Sequence, residues 1–221
     1  MNRTAVLNCF CSCFTITAPI HAQQSPPGGQ GSSLLSPDKQ WEYQPAADNE
    51  DPKIVKAGTN KIGVSFADDC QIGCAHARVL WAPNSTRFAF ICGDGKTRET
   101  FLYQLRGDEW VKLRSLGEDD EIEHRAYNIV KAQAKRDGLP KNTFLHMQWS
   151  TVEANRWIDS STLTVYASLA MRVHRNNGED VGLGYGTDLL VTLKLDKAGN
   201  SKIVKSHGLS EKEAEKFQQQ E

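Results

Sequence analysis

The sequence predicts a mainly β fold of two four-stranded antiparallel meanders with one intervening α-helix. Three observations carry this. From Ala77 onward apolar residues recur at every second position, the period of half-buried strands. Stretches rich in Pro, Asn, Asp, Ser and Gly divide these runs at hairpin spacing. Only between Glu121 and Gly138 does the period lengthen to that of a helix.

Taken in order, "SPDKQWEY" reads as a turn and a short strand, and "KIGVSF" places Ile62, Val64 and Phe66 on one face of another. "ARVLW" leads through Pro83, Asn84 and Ser85 into "RFAFIC", where Phe88 and Phe90 share a side. Asp94-Gly95 suits a tight hairpin, because glycine accepts positive φ without steric cost. "TFLYQL", the turn "RGDE" and "WVKLR" complete the first meander. Pairing Trp81 with Arg87 across the 82–86 turn sets Cys92 opposite His76.

Ile122, Ala126, Ile129 and Val130 then form one helical face over 121–138, which Gly138 and Pro140 end. "MQWSTVEA" opens the second meander. "LTVYASLAMRVH" puts Leu163, Val165, Ala167, Leu169, Met171 and Val173 on one side of a long strand, and "TDLLVTLKL" and "SKIVKS" follow it. Residues 37–207 are thus expected to form one β-rich domain of two units, about 62–115 and 147–207, with a polar tail at 208–221 that frays as a helix.

The first 22 residues differ from the rest: Arg3, an apolar stretch and the small Ala22 before "QQSPPGG" read as a secretory signal peptide. Residues 23–36, rich in Gln, Ser, Gly and Pro, read as a flexible tether. The expected location is periplasmic or secreted, and no later stretch has the apolar length of a membrane span. Net charge is -1, so no field draws nucleic acid or anionic lipid to the chain.

"SPDKQWEY" and "WAPNSTRFAF" resemble the blade motif of TolB-like and WD40-like propeller repeats, in which a Trp or Ser, a Pro, an acidic or amide residue, a Ser and a basic residue precede an apolar strand. "WIDSSTLTVY", from Trp157 to Tyr166, echoes it without the Pro and the basic residue. The resemblance implies propeller-blade-like units. Two units are too few to close a ring, so they are expected as a blade pair sealed by the helix or as a sandwich.

Of six cysteines, Cys70, Cys74 and Cys92 lie beyond the leader, and with His76 they form the nearest approach to a metal ligand set. Their spacing lacks two short ligand pairs, so a disulfide between Cys92 and Cys74 or Cys70 is the favoured expectation in an oxidising compartment, with unpaired thiols and a metal the other possibilities. No G-x-S-x-G nucleophile elbow occurs. "GLGYGT" has no helix after it to supply a phosphate-binding dipole, and the RGD at 106–108 is explained by a hairpin turn. The acidic run at 118–123 suits a helix N-terminus. No cofactor is implied.

The long strand carries Thr164, Tyr166, Ser168, Arg172 and His174 on its second face, and Tyr166, Arg172 and His174 are the candidate binding residues. The expected function is that of an exported, non-catalytic binding protein acting on a protein or envelope component. The alternatives are a hydrolase or metal-dependent enzyme built on Cys74, His76 and Cys92, and a structural part of an envelope assembly that uses open sheet edges.

Overall fold

The computed structural model describes residues 34–47, 50–69, 77–93, 97–116 and 120–218. The elements run β1 (Trp41–Gln44), β2 (Lys53–Lys56), β3 (Ile62–Ser65), β4 (Arg78–Trp81), β5 (Arg87–Gly93), β6 (Arg98–Arg106), β7 (Glu109–Ser115), α1 (Asp120–Asp137), β8 (Thr143–Asp159), β9 (Thr162–Arg175), β10 (Asp180–Leu195), β11 (Ser201–Gly208) and α2 (Glu211–Gln218). The leader and most of the tether expected from sequence lie outside the described residues.

The mainly β character holds, but the strands divide differently from the two expected units. β1, β2 and β3 form their own three-stranded sheet, so the strand at 62–65 does not belong to the first meander. The other eight strands make one sheet in the order β11-β10-β9-β8-β6-β5-β4, with β7 also on β6. The two meanders, β4 to β7 and β8 to β11, are therefore hydrogen-bonded side by side through a parallel pairing at Arg98 and Thr151. Thr100 explains the junction. Its hydroxyl donates to the Val152 carbonyl at 3.0 Å and accepts the Ala154 N–H at 2.9 Å, while its carbonyl accepts Leu116 N–H at 2.7 Å. One buried residue thus divides a single strand edge between β8 and β7.

The turn at 82–86 pairs Trp81 with Phe88, one residue from the expected Trp81–Arg87 register, because Ala82 bonds Arg87 and closes a four-residue loop with Ser85 at φ +59°. Continued along the strands, this register faces Cys92 with position 77 rather than His76.

Two cores flank the first meander. Phe88, Phe90, Cys92, Phe101, Tyr103 and Trp110 pack against Trp41, Tyr43, Ile54 and Phe66 of the small-sheet layer. Leu80, Ala89, Ile91 and Leu102 on the opposite face join an aliphatic core with α1, β8, β9 and β10. Strand β5 is accordingly buried at all seven positions, which fits a continuous run of apolar residues covered on both sides. Arg87 ties the meanders together: its guanidinium donates to the carbonyls of Ser160 and Asp196 in the two turns at that end of the second meander, and to Gln104. Burial lowers its pKa, with Asp196 opposing.

In α1, Ile122, Ala126, Val130 and Ala134 are buried at i, i+4 spacing. Ile129, expected on that face, is 37% exposed, and Ala134 completes the stripe instead. Gly138 at φ +72° ends the helix. The tail holds a helix of about two turns: Glu213 caps it by accepting the N–H and hydroxyl of Ser210, and Ala214 is buried.

Candidate functional site

With α1 on one face of β8, β9 and β10, the other face is built from cross-strand rows that the register defines. These are Thr151–Ser168–Asp188, then Trp149–Ala170–Gly186, then His146–Arg172–Gly184, and at the far end Phe144–His174–Asp180. Directly paired residues share a face, so each row is a physical neighbourhood.

The part of this face that carries Tyr166 is occupied from within the chain. Tyr166 lies parallel to Phe217 of α2 with ring centroids 5.3 Å apart. Its hydroxyl and that of Ser168 both donate to Asp188 Oδ1, the latter at 2.7 Å. Beside it Glu153 bridges Arg78 and Arg98, the second pair at 2.9 Å. Tyr166, a binding candidate by sequence, is 7% exposed and serves as the seat of α2.

Toward the far end the same face is open. Phe144 and Trp149 are 44% and 38% exposed. An open groove there includes Trp149, Ala170, Arg172, Gly184 and Gly186 in its lining. A Cβ on Gly184 or Gly186 would lie at ordinary contact distance from backbone, 3.7 Å from Met171 O and 3.4 Å from Leu169 O. The fold therefore tolerates a side chain at these positions, and glycine there keeps the groove floor low. Arg172 pairs with Asp180 at 3.2 Å. His174 donates from Nδ1 to the Gly178 carbonyl at 2.9 Å and lies edge-on to His146. The structure thus brings Arg172 and His174 together at the open end and separates Tyr166 from them.

Cys70, Cys74 and His76 lie outside the described residues. Cys92 is a free, buried thiol that donates to the Asp69 carbonyl at 3.1 Å. Burial first, then the carboxylates of Glu99 and Asp69, push its pKa up to about 12. A thiol so placed stays protonated at neutral pH, unlike the depressed thiolates of nucleophilic sites. The glycine-rich "GLGYGT" runs inside β10, and Gly107 of the RGD takes φ +64° between β6 and β7, as a hairpin requires. Among the described residues no helix is long and apolar enough to cross a membrane.

No protein-family model and no curated protein matches the sequence. Among solved structures, this chain has a weak similarity to the crystal structure of TolB from Acinetobacter baumannii, at a TM-score of 0.29 and 12% identity over 80% of this chain and 43% of that one. The chain thus spans less than half the length of that protein. An overlay this loose does not place the chain in a family.

Sequence reasoning missed Phe144, His146 and Trp149. Their signal was the register of β8 against β9, which the bulges between Met147 and Trp149 and between Ala154 and Arg156 hide from simple alternation.

Proposed function

We propose that the chain is an exported, non-catalytic binding protein of the cell envelope, and that a protein or envelope component docks on the open end of the β8–β10 face. One observation supports this most: Phe144 and Trp149 stand exposed beside Arg172 over a glycine floor, while Tyr166 on the same face is covered by Phe217 of the chain's own α2. Exposed aromatics with an arginine over a low-relief surface match the composition of binding hot spots. Enzyme chemistry at Cys74, His76 and Cys92 is less favoured, because burial keeps Cys92 protonated.

The test is a variant with Trp149→Ala and Arg172→Ala, produced in the native host. The partner that copurifies with the wild-type chain should be lost while the thermal midpoint is unchanged; recovery of the same partner in equal yield would contradict the proposal. Export is tested separately by N-terminal sequencing of protein from the same cells. A start near position 23 is expected, and a start at Met1 or Asn2 would contradict it.

A further inference from the structure

We propose that His146 and His174 form a two-imidazole site for a divalent transition-metal ion, with Cu(II) bound more tightly than Ni(II) or Zn(II). The first argument is the state of His174. Its Nδ1 faces the Gly178 carbonyl at 2.9 Å. A carbonyl only accepts, so Nδ1 carries the proton and Nε2 presents a bare lone pair. That Nε2 is buried and has no hydrogen-bond partner. A buried acceptor without a partner is costly, and a carbonyl that holds Nδ1–H fixes the imidazole so that Nε2 is the nitrogen offered to a metal.

The second argument is the position of His146. It sits on β8 diagonally across from His174 on β9, one row away on the same face, and is exposed to solvent. The two rings have centroids 5.0 Å apart and planes inclined by 63°. Two imidazoles sharing one tetrahedral ion, with metal to nitrogen distances of about 2.0 to 2.1 Å, place their centroids about 5 Å apart. The pair therefore already has the spacing of a chelate.

Charge around the pair is compatible with a cation. Arg172 is neutralised by Asp180 and Arg175 by Glu179. Asp180 is itself the cross-strand partner of His174, so a carboxylate lies beside the site. Among the described residues no group of three His, Cys, Asp or Glu side chains is arranged around one ion. The remaining coordination positions fall to water, which makes the bound metal exchangeable. Imidazole donors select Cu(II), Ni(II) and Zn(II) over Mg(II) or Ca(II), and Cu(II) leads that series.

The experiment is a Cu(II) titration of the folded chain without its leader, with solvent-accessible thiols alkylated so that they neither hold nor reduce copper. Electron paramagnetic resonance should show one equivalent of Cu(II) with hyperfine structure from two nitrogens. His146→Asn and His174→Asn should each reduce this to one nitrogen and weaken binding at least about tenfold, whereas His207→Asn on β11 should change nothing. Phe144 pairs directly with His174, so Phe144→His supplies a third imidazole and should tighten binding, a gain that misfolding does not produce. No saturable binding below about 1 mM, or binding that survives both His variants intact, would overturn the proposal, the second result by placing the copper elsewhere.

Discussion

The two meanders are built alike in strand order and differently in cover. The first is enclosed on both sides, by the aromatic core below and the aliphatic core above, and β5 has no exposed position. The second has one side on α1 and the aliphatic core, while on its other side, among the described residues, α2 covers Tyr166 and the stretch from Trp149 to Phe144 is open. Substitutions in the first meander should therefore act through stability, and substitutions at the open end of the second through binding. The tryptophans that open the two similar segments show the same divergence. Trp81 packs against Phe88 and Trp110 in the aromatic core, whereas Trp157 is buried in the aliphatic core and donates from Nε1 to the Leu80 carbonyl at 3.0 Å.

The largest effects should come from those tryptophans. Trp81→Ala and Trp157→Ala should each cost about 3 to 5 kcal/mol in chemical denaturation, since either cavity is too large to collapse. A mild result at one of them would mean that its core is not as closed as described. Next is Arg87→Met, which strands the turn carbonyls of Ser160 and Asp196 and should cost about 3 kcal/mol. A neutral outcome would mean that the meanders are held by apolar contact alone.

A smaller contrast separates two indoles. Trp157→Phe leaves the Leu80 carbonyl without its donor and should cost about 1 to 3 kcal/mol more than volume alone explains. Trp110 Nε1 is buried without a hydrogen-bond partner, so Trp110→Phe should cost distinctly less. Equal losses would show that the Trp157 bond is worth little.

The smallest effect lies in the turn between β8 and β9. Asp159 accepts the Ser161 N–H at 2.7 Å and the hydroxyls of Thr162 and Ser161 at 2.8 and 2.9 Å, which bring its pKa down to about 2. A carboxyl whose folded pKa is depressed contributes stability above its unfolded pKa, near 4, and loses it as pH falls toward 2. Because the side chain is solvated, Asp159→Asn should cost only about 0.5 kcal/mol or less at pH 7. The gap between variant and wild type should close by about pH 2 in acid denaturation, and a gap that persists would assign the effect to the turn backbone instead.

Much of this architecture was legible in the sequence, because a covered face imposes its period on the chain. The alternation of Leu163, Val165, Ala167 and Leu169 is the core face of β9, and the helix between the meanders showed through its changed period. What was illegible depends on where distant segments land. Strands of four residues such as β3 carry too little pattern to say which sheet they join. The Trp81–Phe88 register turned on one hydrogen bond inside a loop. The tail helix is too short to hold itself and is fixed by Phe217 on Tyr166. The binding face was half legible for the same reason: Arg172 and His174 were found from the polar side of β9, but nothing local marks Tyr166 as covered, or Trp149 and Phe144 as their neighbours.

The most direct measurement of the binding role places a photo-crosslinking amino acid at position 149, on the open end, and at position 204 of β11, where Val204 is 55% exposed on an element assigned no partner. Irradiation of cells making each variant should give a discrete adduct from position 149 and none from position 204. An absence of adducts at 149, or the same adducts from both positions, would contradict a partner that docks on this face.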